Sequence, residues 1–298
     1  MARRVIVFLN RKSGSASGTE SSIQAGFQTL GVDCSITPIR RGMDVRRLAR
    51  EAAAHAETTV VSAGGDGTVN AIAAGVAGTN GLMGVLPLGT LNHFAKDLGL
   101  PLALKQAIAT IVGQHRSQVD TAEVNGHLFV NNSSVGIYAE MVRSRRWLQR
   151  SGTGKWISLL LASARAVLRF HQIDVRLTVD GSRITRRTPI LFVGNNEYCI
   201  DGLRIGSRER LNSGALFVYL TPGLTRWGML RIAVAALFGW LREFDCFEQF
   251  CVTELTVDLR RRVCRVSLDG ELRHINGPLH YSIRPASLSV CTPAPEGR

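Results

Sequence analysis

The sequence predicts an α/β plus all-β protein. A parallel α/β domain over residues 1–117 is followed by an antiparallel β-sandwich over 118–284 that carries two helical insertions. Residues 1–117 alternate short apolar runs with segments of helical spacing, the pattern of a parallel sheet covered by helices. Near residue 118 the pattern changes to alternating strands joined by Asn-Gly and Asp-Gly dipeptides. With 298 residues and 45% hydrophobic content, the chain is long enough to bury two cores. The tail, about 285–298, is free to pack back on the first domain.

In the first domain, VIVFLN (5–10) reads as a strand and ESSIQAGFQTLG (20–31) as a helix ended by Gly31. DCSITPI (33–39) is a second strand. DVRRLAREAAAH (44–55) is a helix whose apolar positions recur three and four apart. TTVVSA (58–63) is a third strand, VNAIAAGVAG (69–78) a helix, LMGVLPLG (82–89) a fourth strand and LPLALKQAIATIVG (100–113) another helix. In the second domain, QVDTAEVNGHLFVNNS (118–133) is a hairpin turning at Asn125-Gly126, and 173–194 repeats the device at Asp180-Gly181. GALFVYL, ELTVDL, RVSLDG and LHYSIRP add short strands, and the helical insertions fall at roughly 139–170 and 225–244.

Lys plus Arg exceed Asp plus Glu by 36 − 23 = 13, which favours an anionic partner: nucleic acid, an anionic membrane or a phosphorylated ligand. The six cysteines include no CxxC pair and read as reduced, mostly buried thiols of a cytosolic protein. The N-terminus has too few apolar residues for a signal peptide, and the longest apolar run, IAVAALFGWL (232–241), is too short to span a bilayer.

Three loops carry the chemistry. SAGGDGTVN (62–70) follows the third strand. Glycines between a strand and a helix leave backbone N–H groups aimed at an anion, reinforced by the helix dipole. Gly64, Gly65 and Gly67 permit close approach, and Thr68 is placed to cap a helix opening near Val69. The alternative is a tight turn in which Asp66 is an ordinary turn residue. The loop is not a Rossmann fingerprint, and GTGKW (152–156) fails as a P-loop because Trp156 replaces the hydroxyl. NRKSGSASG (10–18) follows the first strand and offers Asn10, Lys12, Ser13 and Gly14 to a phosphate. LPLGTLNHFAKDLGLP (86–101) follows the fourth, with Gly89, Thr90 and Asn92 in its turn. Ligands of parallel sheets bind at the carboxyl ends of the strands, so three such loops at one edge point to a nucleotide.

Taken together, GGDGTVN, LPLGTLNHFAKDLGLP and NRKSG resemble the diacylglycerol kinase catalytic domain, a family that includes bacterial lipid kinases and sphingosine kinases, with NAD kinases as distant relatives. FVNNSSVGIYAEMV (129–142), VGNNEYCIDGLRIG (193–206) and VSLDGELRH (266–274) extend the resemblance over nearly the whole chain. It implies an ATP- and Mg2+-dependent kinase acting on a lipid hydroxyl, with its active site in the cleft between the domains. Gly64, Gly65, Gly67 and Thr68 would hold ATP phosphates, closed over by Asn10, Lys12 and Ser13. Asp66 would help organise Mg2+ between the phosphates. Thr37, Thr90 and Asn92 would line the nucleotide pocket. Asp269 would accept the substrate proton, with Glu271 supporting it or the metal. By residues alone, Asp269-Gly270 reads as a plain hairpin turn.

The chain also departs from the family. Arg11 stands where the family has Pro, His93 where it has Asp, and Ser213 where some bacterial members place an aspartate on a structural Mg2+. Two further readings therefore stay open: an NAD kinase, and a non-catalytic nucleotide- or lipid-binding regulator of the same fold. Between Met141 and Phe170 seven basic residues interleave with Trp147, Trp156 and leucines and no acidic residue, which suits an anionic membrane surface. No nucleic-acid-binding module is recognisable. The expectation is a cytoplasmic, peripherally membrane-associated protein, with a homodimer possible.

Overall fold

The computed structural model describes residues 4–13, 19–55, 57–136, 171–179, 181–199, 206–228 and 248–294. The chain divides into two compact units: residues 1–121, 210–213 and 284–298 form one, and 122–209 and 214–283 the other.

In the first unit, β1 (Arg4–Leu9), β2 (Cys34–Pro38), β3 (Thr58–Gly64) and β4 (Leu82–Pro87) are parallel in the order β2-β1-β3-β4. β3 and β4 are buried at every position, as expected of strands covered on both faces. The C-terminal part of the long strand β16 (Leu279–Thr292) adds in parallel beside β4, with Ser289 opposite Leu82. Helices α1 (Thr19–Thr29), α2 (Val45–Ala53), α3 (Asp66–Val76) and α5 (Leu104–Gly113) intervene, together with the one-turn α4 (His93–Asp97), which the sequence pattern did not announce. Val7, Leu9, Phe27, Val61, Leu86, Ile108 and Ile111 are buried in one core.

One expectation is corrected here. Thr68 does not cap a helix near Val69; α3 already opens at Asp66, with Gly65 as its N-cap in extended conformation. The Gly65 carbonyl accepts the first helical bonds, from Thr68 N at 2.8 Å and Val69 N at 3.0 Å. The Thr68 hydroxyl is thereby released from capping.

The second unit contains two antiparallel sheets. One joins the N-terminal part of β16 to β13 (Glu254–Asp258), β8 (Ile173–Val179) and β9 (Ser182–Thr188). The other runs β12-β11-β10-β7-β14-β15, from β12 (Glu248–Val252) through β11 (Leu216–Leu220), β10 (Ile190–Asn195), β7 (Asn132–Gly136) and β14 (Val263–Leu268) to β15 (Glu271–Asn276). Inward residues of both, among them Val175, Leu177, Val257, Tyr281, Val193, Val218 and Val266, share one core, as in a β-sandwich. β5 (His115–Val124) and β6 (His127–Phe129) turn at Asn125 and Gly126, whose φ values of 46° and 77° suit the short hairpin loop. The insertion expected at 139–170, and most of that at 225–244, lie outside the described residues. The five described cysteines are free thiols, and no described helix is long and apolar enough to cross a membrane.

Candidate active site

All four parallel strands of the first unit end at the same edge, so their following loops share it. The backbone after β1 is tied to β3 by Asn10 N donating to Ala63 O at 2.9 Å. The Asn10 side chain then donates to Thr68 Oγ1 at 3.0 Å and accepts from Lys12 N at 3.1 Å. Gly65 N donates to Ser13 Oγ at 3.3 Å. The loop after β4 is drawn in by Leu88 N donating to Gly64 O at 3.1 Å. Asn10, Lys12, Ser13, Gly64, Gly65 and Thr68 are thus brought together; Gly14 lies outside the described residues.

Two glycines are required by space. A Cβ on Gly89 would stand 2.5 Å from the Cα of Gly65 and 2.7 Å from Asn92 Oδ1, closer than atoms tolerate. A Cβ on Gly64 would meet Thr68 Oγ1 at 2.6 Å. The loops after β3 and β4 therefore pass backbone to backbone.

Asn92 has a different employment from a pocket lining. In the left-handed region at φ 50° and buried, it accepts from Gly89 N at 3.0 Å and donates to Pro87 O and Gly89 O at 3.1 and 2.9 Å. Both its N–H groups are spent holding the loop. Thr90 and His93 are exposed, and Thr37 is half-buried within β2. Ser213 is exposed in the loop before β11.

Mg2+ is implied by the resemblance, and Asp66 suits it. Its Oδ1 is buried without a hydrogen-bond partner, an acceptor that a cation or its water would satisfy. Among the described residues no group of three or more His, Cys, Asp or Glu side chains gathers, so a metal here would take most of its ligands from phosphates and water.

In the second unit, Asp269 and Gly270 form the two-residue turn between β14 and β15, both with positive φ (46° and 75°). The Asp269 carboxylate is buried and accepts three backbone N–H bonds, from Val130 to Oδ2 at 2.9 Å and from Asn131 and Asn132 to Oδ1 at 2.8 and 2.9 Å. Burial pushes its pKa up to about 6, against the pull of those three bonds and of the Arg208 charge. With a pKa of about 6 it is mostly ionised at neutral pH, and Oδ2 accepts one N–H bond where Oδ1 accepts two. Glu271, half-buried at the start of β15, lies 3.7 Å from the Arg273 guanidinium.

Sequence reasoning missed Arg208, Asn131, Asn195 and Asn196, all buried around Asp269's donors. The signal was present: two Asn-Asn pairs, 131–132 and 195–196, stand inside otherwise apolar strand patterns. Also missed was Asp120, buried in β5 and accepting from Ala286 N at 2.8 Å.

Comparison with known proteins gives consistent matches. The diacylglycerol kinase catalytic domain matches residues 4–124, and the YegS C-terminal NAD kinase beta sandwich-like domain matches 135–292. A Pseudomonas aeruginosa protein described as "Probable lipid kinase YegS-like" is 27% identical, covering 98% of this chain and 95% of the relative. The diacylglycerol kinase of Bacillus subtilis strain 168 is 25% identical, covering 72% and 71%. A diacylglycerol kinase structure from Bacillus anthracis strain Sterne superposes with a TM-score of 0.73 over 98% of this chain and 97% of its own. At 21% identity, that likeness bears on the fold alone.

Proposed function

The chain belongs to the family of lipid and diacylglycerol kinases, and on that premise we propose that it transfers the γ-phosphate of ATP to a hydroxyl of a diacylglycerol-like or sphingoid lipid. The observation that carries the reading is the convergence of the loops after β1, β3 and β4, with Gly65 against Gly89 and Asn10 on Thr68. Phosphoryl transfer requires positioning and charge neutralisation more than covalent chemistry, and such a cradle supplies the first. Backbone N–H groups of Asp66 and Gly67, in the first turn of α3, would hold the phosphates, with Lys12 adding charge from the β1 loop. Bound beside Asp66, Mg2+ would offset the charge of the phosphate oxygens. Asp269, ionised at neutral pH, would accept the proton of the attacking hydroxyl through Oδ2.

The three N–H bonds to Asp269 favour a second assignment of roles within the same reaction. There Asp269 pins the β14–β15 turn, and Asp66, with its unpartnered oxygen, orients the hydroxyl.

Transfer of labelled phosphate from ATP to a panel of diacylglycerols and sphingoid bases in mixed micelles, with NAD in parallel, tests the reading. Lipid product supports it. Product with NAD alone would make the chain an NAD kinase, and ATP binding without any product would make it a regulator of the same fold.

A further inference from the structure

Arg208 is 3% exposed, and a buried guanidinium persists only where its donors are met. Nη1 donates to Val130 O at 2.7 Å and Asn195 O at 3.0 Å, and Nη2 to Asn131 Oδ1 at 2.6 Å. The guanidinium carbon sits 5.5 Å from the centre of the Tyr198 ring, within cation–π range.

Every backbone polar group of residues 130–132 has a partner in this network. The three N–H groups go to the Asp269 carboxylate. The Val130 carbonyl takes Arg208 and Asn195 Nδ2, the latter at 2.9 Å. The Asn131 carbonyl takes Asn195 N, and the Asn132 carbonyl takes Asp269 N, both at 2.9 Å. The peptide joining Val130 to Asn131 is therefore held between opposite charges, its N–H on the Asp269 carboxylate and its carbonyl on the Arg208 guanidinium. A peptide dipole aligned between opposite charges stabilises both and resists rotation. A neutral side chain of similar shape would fill the same space without that alignment.

We propose that Arg208 is a positioning residue for Asp269: it orients the Val130–Asn131 peptide and the Asn131 side chain, and with them the amides of 130–132 that fix where the carboxylate stands. Nothing in the sequence motifs assigned it a role. The inference rests on the kinase reading only for what Asp269 does once it has been placed.

Arg208→Met, Arg208→Lys and Asn131→Ala test it, the last removing one acceptor while leaving the cation. Arg208→Met is expected to lower kcat by about 10²-fold, the scale for a displaced catalytic group, with KM for ATP within about twofold. Arg208→Lys should recover part of that loss, and Asn131→Ala should lie between. Amide hydrogen exchange, read without substrate, should rise selectively at 130–132 in Arg208→Met and leave β12 unchanged. If the Met variant does not fold, the Lys and Ala variants carry both measurements. Equal losses in Met and Lys variants, a parallel rise in KM for ATP, or exchange at 130–132 no faster than wild type would overturn the proposal. A wild-type protein that phosphorylates no lipid would strike the kinase reading alone, since the exchange measurement stands without turnover.

Discussion

Burial and hydrogen bonding compete at the Asp269 carboxylate, and burial prevails, raising its pKa from 3.8 to about 6. The folded state therefore prefers the protonated acid. That contribution to stability is fully present below 3.8 and is lost as pH rises through about 6. Activity should run the other way if Asp269 accepts the proton: kcat/KM is expected to fall as pH drops through about 6, while stability in the same window rises. Parallel pH profiles of turnover and denaturant midpoint check both signs. Asp269→Asn keeps the shape but offers one acceptor oxygen where two now receive three donors, so a buried N–H is left facing an NH2 group. It should cost about 1–3 kcal/mol of stability, with turnover falling about 10²–10⁴-fold. Reduced stability with turnover per folded molecule unchanged would assign Asp269 the pinning role and leave the proton to Asp66.

Among elements, the turn from β4 into α4 is constrained by the turn from β3 into α3. Gly89→Ala places a methyl 2.5 Å from Gly65 Cα, a contact with backbone on one side and the buried Asn92 amide on the other. Neither neighbour is the free end of a flexible chain, so the loops must part. The expected loss is about 1–3 kcal/mol of stability together with weaker ATP binding, read by thermal melting and nucleotide titration. Gly113→Ala, where the nearest atom is an ordinary 3.7 Å away on the His115 ring, is the control and should leave ATP binding unchanged.

Across the whole molecule, a net charge of +13 sets a long-range attraction for anionic surfaces. Co-sedimentation with vesicles is expected to be strong for mixtures containing an anionic phospholipid, weak for neutral vesicles, and reduced as ionic strength shortens the screening length to about 10 Å at 0.1 M. Equal binding to neutral and anionic vesicles would remove charge as the cause.

The sequence by itself determined the two fold classes, because period and turn chemistry are local. Uncharged runs, mostly apolar, made β3 and β4 interior strands, while Asn125-Gly126 and Asp269-Gly270 set hairpin turns through the positive φ such pairs adopt. The glycine loops were legible as loops too, since backbone that passes close to backbone carries no side chain. Tertiary structure decided the rest. That Gly89 must be glycine depends on Gly65, 24 positions earlier in the chain, and no local pattern records the 2.5 Å approach. Asn92 reads as a polar group facing a ligand until its three hydrogen bonds within the loop are seen. Arg208 reads as one more surface cation in a basic chain. Only when Val130, Asn131 and Asn195 close around it does it become a buried charge whose field reaches a carboxylate 61 residues further along, because burial and dielectric are properties of the packed chain.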